Sequence, residues 1–200
     1  APILVLTQDV EPVAVALPGI EVRPSHDTIA ATILALCDDP ATRWPLIVTT
    51  ADHALLDAAT VREFCAAAAG ADIAVGVVDR RPLEARLPGT RRTWLRFCGE
   101  AVTGANLFAL ASPAAAPAVR LWRSVEQDRK RAWKLIGLLG PFWLGMAALR
   151  LASLDTLLDQ MSRRLRLELR AVRLANPLAG VDVDKSADLD LVEAILAGRA

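Results

Sequence analysis

The sequence predicts an α/β fold built on a mixed, mostly parallel sheet flanked by helices, with a helical insertion at about residues 114–166. Three observations carry this. Extended and helical patterns alternate between Trp44 and Val78, the order of a βαβ unit. Trp44-Pro45-Leu46-Ile47-Val48 is apolar almost without interruption, as a strand covered on both faces would be. Beyond Ala114 the apolar residues recur at helical spacing as far as about Arg166.

Taken in order, Ile3-Leu4-Val5-Leu6 and Gly19-Ile20-Glu21-Val22 are short apolar runs bounded by polar residues or Pro, and both read as strands. Ser25 to Thr28 offer capping side chains for a helix from Ile29 to Cys37, stopped by Asp38-Asp39-Pro40. Trp44 to Thr50 follows as an expected central strand. A helix from about Asp57 to Ala69 then stops at Gly70, and Asp72 to Val78 is the next strand. Arg91 to Phe97 alternates polar and apolar residues, Val102 to Leu110 does so more loosely, and Gly99-Glu100 can turn between them, so an antiparallel pair is expected. Glu168 to Leu174 is a last strand. Ser186 to Ala197 is an amphipathic helix whose acidic first turn suits its dipole.

The 200 residues are 54% hydrophobic, enough for one buried core, so a single domain over 1–200 is expected and disorder is excluded. The 23 basic residues cancel the 23 acidic ones, which leaves no global field to recruit nucleic acid or anionic lipid. Cys37, Cys65 and Cys98 form no CxxC pair and suit a reducing compartment, so a cytoplasmic setting is expected. The longest uncharged run, Leu135 to Leu149, is 15 residues, about 22 Å of helix against the ~30 Å of a bilayer core. No transmembrane segment is expected, and Pro141-Phe142-Trp143 reads as core in preference to peripheral membrane contact. The first residue is Ala, not Met, so a segment upstream is expected.

In open α/β sheets, ligands collect beyond the carboxyl ends of the strands. Asp52 is a carboxylate just past such an end, its neighbours Thr49, Thr50 and Ala51 are small, and a hard oxygen suits Mg²⁺. Its other role would be to cap the next helix, for which Asp57 is better placed. Asp182 and Asp184 share one side of an extended segment because side chains alternate there, while Asp188 falls in the first turn of the last helix and reads as structural.

These residues carry a resemblance. Asp52 after a small-residue strand end, Gly104-Ala105-Asn106-Leu107-Phe108, and Val183-Asp184-Lys185-Ser186-Ala187-Asp188-Leu189 before a terminal helix resemble, in order and spacing over nearly the whole chain, the GT-A nucleotidyltransferases. That superfamily has a Rossmann-like fold and includes the MobA-like NTP transferases and the sugar-phosphate and CMP-sugar synthetases. The resemblance implies that Asp52 and Asp184 hold Mg²⁺ on the phosphates of an NTP, with Asp182 as an auxiliary ligand. It implies a small acceptor, on whose side Gly104 and Asn106 lie. Arg91, Arg92 and Arg96 flank a strand facing that side, and guanidinium forks suit phosphate, so a phosphorylated acceptor is expected. Arg129, Lys130 and Arg131, with Lys134, form a second basic set in the helical insertion, and His53 is expected as a further substrate contact.

The resemblance also implies a glycine-rich phosphate loop, which would precede residue 1. Position 54 is Ala, where the family often has Pro and where a glycosyltransferase Asp-x-Asp motif would need a second Asp. Two alternatives accompany the reading of an Mg²⁺-dependent nucleotidyltransferase: a catalytically silent nucleotide- or sugar-binding module of the same fold, and a GT-A glycosyltransferase. No nucleic-acid partner is expected.

Overall fold

A computed structural model describes residues 2–90, 92–126 and 132–198. The chain divides into two compact units, Ala1–Thr42 with Ala115–Leu135, and Arg43–Ala114 with Ile136–Ala200.

In the first unit β1 (Leu4–Thr7) and β2 (Glu21–Pro24) pair in parallel, with Leu4 opposite Glu21, and α1 (Val10–Ala16) connects them. The sequence reading missed α1 because Pro12 looks like a stop signal, yet Pro is tolerated in the first turn, where its missing N–H costs nothing. α2 (Ile29–Asp38) begins where expected, with the Thr28 hydroxyl accepting from the Ala31 amide at 3.1 Å. Thr32 is buried in its first turn, donating to the Thr28 carbonyl at 2.9 Å and accepting from the His26 amide at 3.0 Å. α5 (Ala116–Glu126) packs on α2, and Ala30, Ile33, Leu34 and Val119 are buried.

The second unit holds the larger sheet, in the order β3-β6-β4-β7, with β5 also on β6. Its strands are β3 (Leu46–Thr49), β4 (Ile73–Asp79), β5 (Leu95–Phe97), β6 (Glu100–Leu110) and β7 (Leu169–Arg173). β6 is antiparallel to β3, β4 and β5, and β7 is parallel to β4. Strand directions are therefore mostly parallel, with β6 alone opposed. This is the mixed α/β class expected.

Among the described residues β3 is an outer strand of this sheet, not the central one expected: it pairs there only with β6, and Ile47 is 39% exposed. An apolar run this short cannot report sheet position, because single exposed aliphatics are common. The inner place belongs to β4, whose residues are half-buried or buried throughout.

α3 (Ala58–Ala68) is capped by Asp57, and α4 (Arg80–Arg86) follows β4 directly, again hidden from sequence by a first-turn proline, Pro82. α6 (Ala132–Ala148) is broken at Gly140, φ 80°, before Pro141. α7 (Leu154–Leu165) packs on β7, and α8 (Ser186–Leu196) closes the chain. Phe64, Leu83, Ala105, Leu107, Val172 and Val192 are at the centre of the core. Each large aliphatic or aromatic among them contributes roughly 1.5–3 kcal/mol by leaving water. Among the described residues no helix is long and apolar enough to cross a membrane.

Candidate functional site

β6 explains where the site sits. β4 occupies one of its edges from Val102 to Leu110. On the other edge β3 takes residues 107–110 and β5 takes residues 100–102, so residues 103–106 have no strand partner there among the described residues. The same stretch is bulged: Val75 faces Phe108 but Val77 faces Gly104, so three residues of β6 oppose Gly76 alone. Two features accommodate this. Asn106 takes a left-handed φ of 43°, and Gly76 has no side chain where a Cβ would lie 3.2 Å from the Leu107 Cβ. Bulges of this kind re-aim side chains and often border active sites. Gly104 is exposed within the gap, with nothing within 4 Å of where a Cβ would project.

Two segments border this gap. One is the turn Thr50–His53 leaving β3. The other is the 3₁₀ turn Pro177–Gly180 and the extended residues after it. Gly180 lies against β4 and β6, where a Cβ would meet Thr103 Cγ2 at 3.0 Å and Val78 Cβ at 3.2 Å. The segments are joined by backbone: the Val183 amide donates to the Asp52 carbonyl at 3.0 Å. The His53 ring adds a second tie, with Nδ1 at 2.9 Å from the Ala179 carbonyl. Since a carbonyl only accepts, Nδ1 carries the proton. His53 Nε2 is buried without a hydrogen bond and lies 4.0 Å from Asp52 Oδ1.

The sequence-predicted residues fall into three groups. Asp52 and Asp184 are brought to this junction by the Val183 bond. Asp52 is partly exposed and accepts a short hydrogen bond from the Thr50 hydroxyl, while Asp184 is exposed. Gly104 and Asn106 lie in the gap in β6. His53 is buried at the junction and braces it through the Ala179 carbonyl.

Arg92 and Asp182 belong together. The Arg92 side chain is only 6% exposed; it makes a short contact with the Asp182 carboxylate, donates to the Asp182 carbonyl at 3.1 Å, and approaches Asp188 at 3.6 Å. Arg92 is thus committed to protein carboxylates instead of standing free for phosphate, and Asp182 is occupied by Arg92 instead of open to a metal. Asp188 also accepts from the Lys185 amide at 3.1 Å, the capping role expected of it. Arg96 lies on β5 and lines a cavity that Asp52, Asp184 and Arg92 do not touch. Arg91, Arg129, Lys130 and Arg131 lie outside the described residues.

Among the described residues no three His, Cys, Asp or Glu side chains gather as a metal cluster. Two hard carboxylates, one exposed and one partly so, match an ion that keeps most of its water and arrives on a substrate's phosphates, as Mg²⁺ usually does. The sequence shows Thr50 only as a small neighbour of Asp52, without the role of its hydroxyl. Its signal was present, a hydroxyl two positions before a candidate ligand.

No protein-family model and no curated protein matches the chain. A solved structure does: a protein described as a hypothetical transferase from Thermus thermophilus, 29% identical, with a TM-score of 0.73 over 86% of this chain and 76% of that one. The chain shares the fold of that protein. Within that fold, the gap in β6 and the two segments bordering it lie at the carboxyl end of β3, where ligands collect in α/β sheets.

Proposed function

We propose that the protein is a nucleotidyltransferase of MobA-like type, moving an NMP group from an NTP to a small phosphorylated acceptor with release of pyrophosphate. The observation that carries this is the hydrogen bond from Val183 to Asp52, which ties the carriers of Asp52 and Asp184 together beside an unpaired strand edge. Likeness to a protein described as a transferase supports the coarser part of the reading.

In this reaction an acceptor oxygen bonds to the α-phosphorus while the bond to the bridging oxygen breaks, and pyrophosphate leaves with that electron pair. Asp52 and Asp184 would hold Mg²⁺, which supplies positive charge against the phosphoryl oxygens and the leaving pyrophosphate. The chain's own residues do the positioning. The Thr50 hydroxyl fixes one Asp52 oxygen, His53 and Val183 fix the backbone, and Arg92 neutralises Asp182 beside Asp184. Gly104 leaves room for the acceptor to approach β6. No covalent intermediate on the protein is required.

The test is a pyrophosphate-release assay of the full-length protein with Mg²⁺, across the four NTPs and a panel of phosphorylated acceptors. Release that needs both an NTP and an acceptor is expected. NTP hydrolysis without an acceptor, or transfer from a nucleotide-sugar, would replace this reading.

A further inference from the structure

The second unit holds a cavity of about 570 Å³ at the carboxyl ends of β4 and β7, bounded by the β5–β6 turn. That volume suits a small-molecule ligand. Five arginines line it against two carboxylates, Asp79 and Glu100.

Both carboxylates face Arg173. Arg173, at the end of β7, makes a short ion pair with Glu100, lies 3.9 Å from Asp79, and reaches Asp155 at 3.5 Å. Burial works against its charge, but the hydrogen bond to Glu100 and the nearby acidic groups outweigh this and raise its pKa above the ordinary arginine value. Arg80 is likewise engaged, 2.7 Å from Glu84 and stacked 5.7 Å from the Trp94 ring centroid. Arg81, Arg96 and Arg150 remain. They come from α4, β5 and the loop after α6, and none pairs with a carboxylate among the described residues. Three guanidinium groups from separate elements repel one another unless an anion joins them, and their planar forks match phosphoryl oxygens. Phe97 and Pro82 add apolar surface beside them.

We propose that this cavity binds the phosphoryl group of a small phosphorylated molecule through Arg81, Arg96 and Arg150, with Phe97 and Pro82 against its organic part. Naming that molecule as the acceptor rests on the nucleotidyl-transfer reading; binding of the phosphoryl group does not.

The experiment is calorimetric titration of the full-length protein, without metal, using inorganic phosphate and phenyl phosphate as probes. Saturable binding is expected, tighter for phenyl phosphate. Arg81→Gln and Arg96→Gln should each weaken it about tenfold, the scale of one lost charge-assisted contact, and adding Arg150→Gln to both should abolish it. Asp52→Asn and Asp184→Asn should leave it unchanged.

Undiminished affinity in the triple variant overturns the proposal. Loss of binding in the aspartate variants overturns it too, by moving the anion to the carboxylate site. Equal affinity for the two probes would mean a site for the free ion and overturn the small-molecule assignment. Displacement of phenyl phosphate by duplex DNA at low salt would mean a nucleic-acid surface instead. Phosphate binding that persists in a protein releasing no pyrophosphate supports this site while removing the nucleotidyl-transfer reading.

Discussion

The Val183 amide hydrogen-bonds the Asp52 carbonyl at 3.0 Å, although four strands, β4 to β7, lie between the two residues in sequence. The bond is backbone to backbone, so holding the segments together consumes neither Asp52 nor Asp184. Asp52→Asn and Asp184→Asn should therefore fold normally and lose activity. A drop in pyrophosphate release of about 10²-fold or more is expected for each, the scale of removing one preorganised electrostatic contact. Thermal denaturation should match that of the parent protein. Full turnover in either variant would detach that carboxylate from the chemistry.

His53 should act on stability first. Its Nδ1–H satisfies the buried Ala179 carbonyl, so His53→Ala leaves that acceptor unpaired and a void beside it. A loss of about 1–3 kcal/mol is expected in urea denaturation. In His53→Asn the amide nitrogen can take the place of Nδ1 and should recover much of that loss. Equal destabilisation by both would deny the hydrogen bond its role.

Arg92 makes the opposite prediction to the arginines of the cavity. It is 6% exposed and bound to Asp182 and Asp188, which are 29% and 24% exposed. Arg92→Met leaves those two carboxylates facing each other. The expected cost is about 1–3 kcal/mol, less than the about 3–5 kcal/mol of a fully buried pair, because both partners keep contact with water. Phenyl phosphate affinity should not change. A variant as stable as the parent but weaker in phosphate binding would make Arg92 a ligand contact after all.

Asp57 links acid sensitivity to one helix start. The Thr60 amide donates to it at 2.7 Å, and that bond, with help from the Thr60 hydroxyl, holds its carboxyl below the usual carboxylate range. A pKa depressed on folding stabilises the native state above the unfolded value, and this contribution is lost as pH falls through the folded one. The parent should therefore lose its advantage over Asp57→Ala progressively below about pH 4. Unfolding midpoints of the two proteins at neutral and acid pH measure this. A gap independent of pH would mean that the cap does not depend on charge.

What the sequence revealed and what it concealed divide by distance along the chain. The Asp57 cap, the stop at Gly70 and the turn at Gly99 are local, and α3, β4 and the β5–β6 pair were all legible from them. The outer place of β3 depends on its pairing with Leu107 to Leu110, which no run of apolar letters encodes. The same holds for side chains. His53 meets a carbonyl 126 positions away and Arg92 a carboxylate 90 away, so the partners of neither side chain could be read from its neighbours in sequence. Arg81, Arg150 and Arg173 each resemble an ordinary solvated arginine until the topology places them around one cavity.

Two glycines separate packing from access. Neither has a positive φ, so alanine is conformationally allowed at both and only space decides. At Gly180 a Cβ would press on Thr103 at 3.0 Å and on Val78 at 3.2 Å, both on neighbouring strands of a packed core. Gly180→Ala should lift the segment that carries Asp182 and Asp184 off the sheet, costing about 1–3 kcal/mol and lowering kcat with it. At Gly104 the same methyl meets nothing within 4 Å. Gly104→Ala should keep the parent's stability, and because the methyl would stand in the open space beside Gly104, it should raise the acceptor KM with little change in kcat. Unfolding curves and steady-state kinetics of the two variants make the comparison, and an unaltered KM in Gly104→Ala would place the acceptor away from that edge.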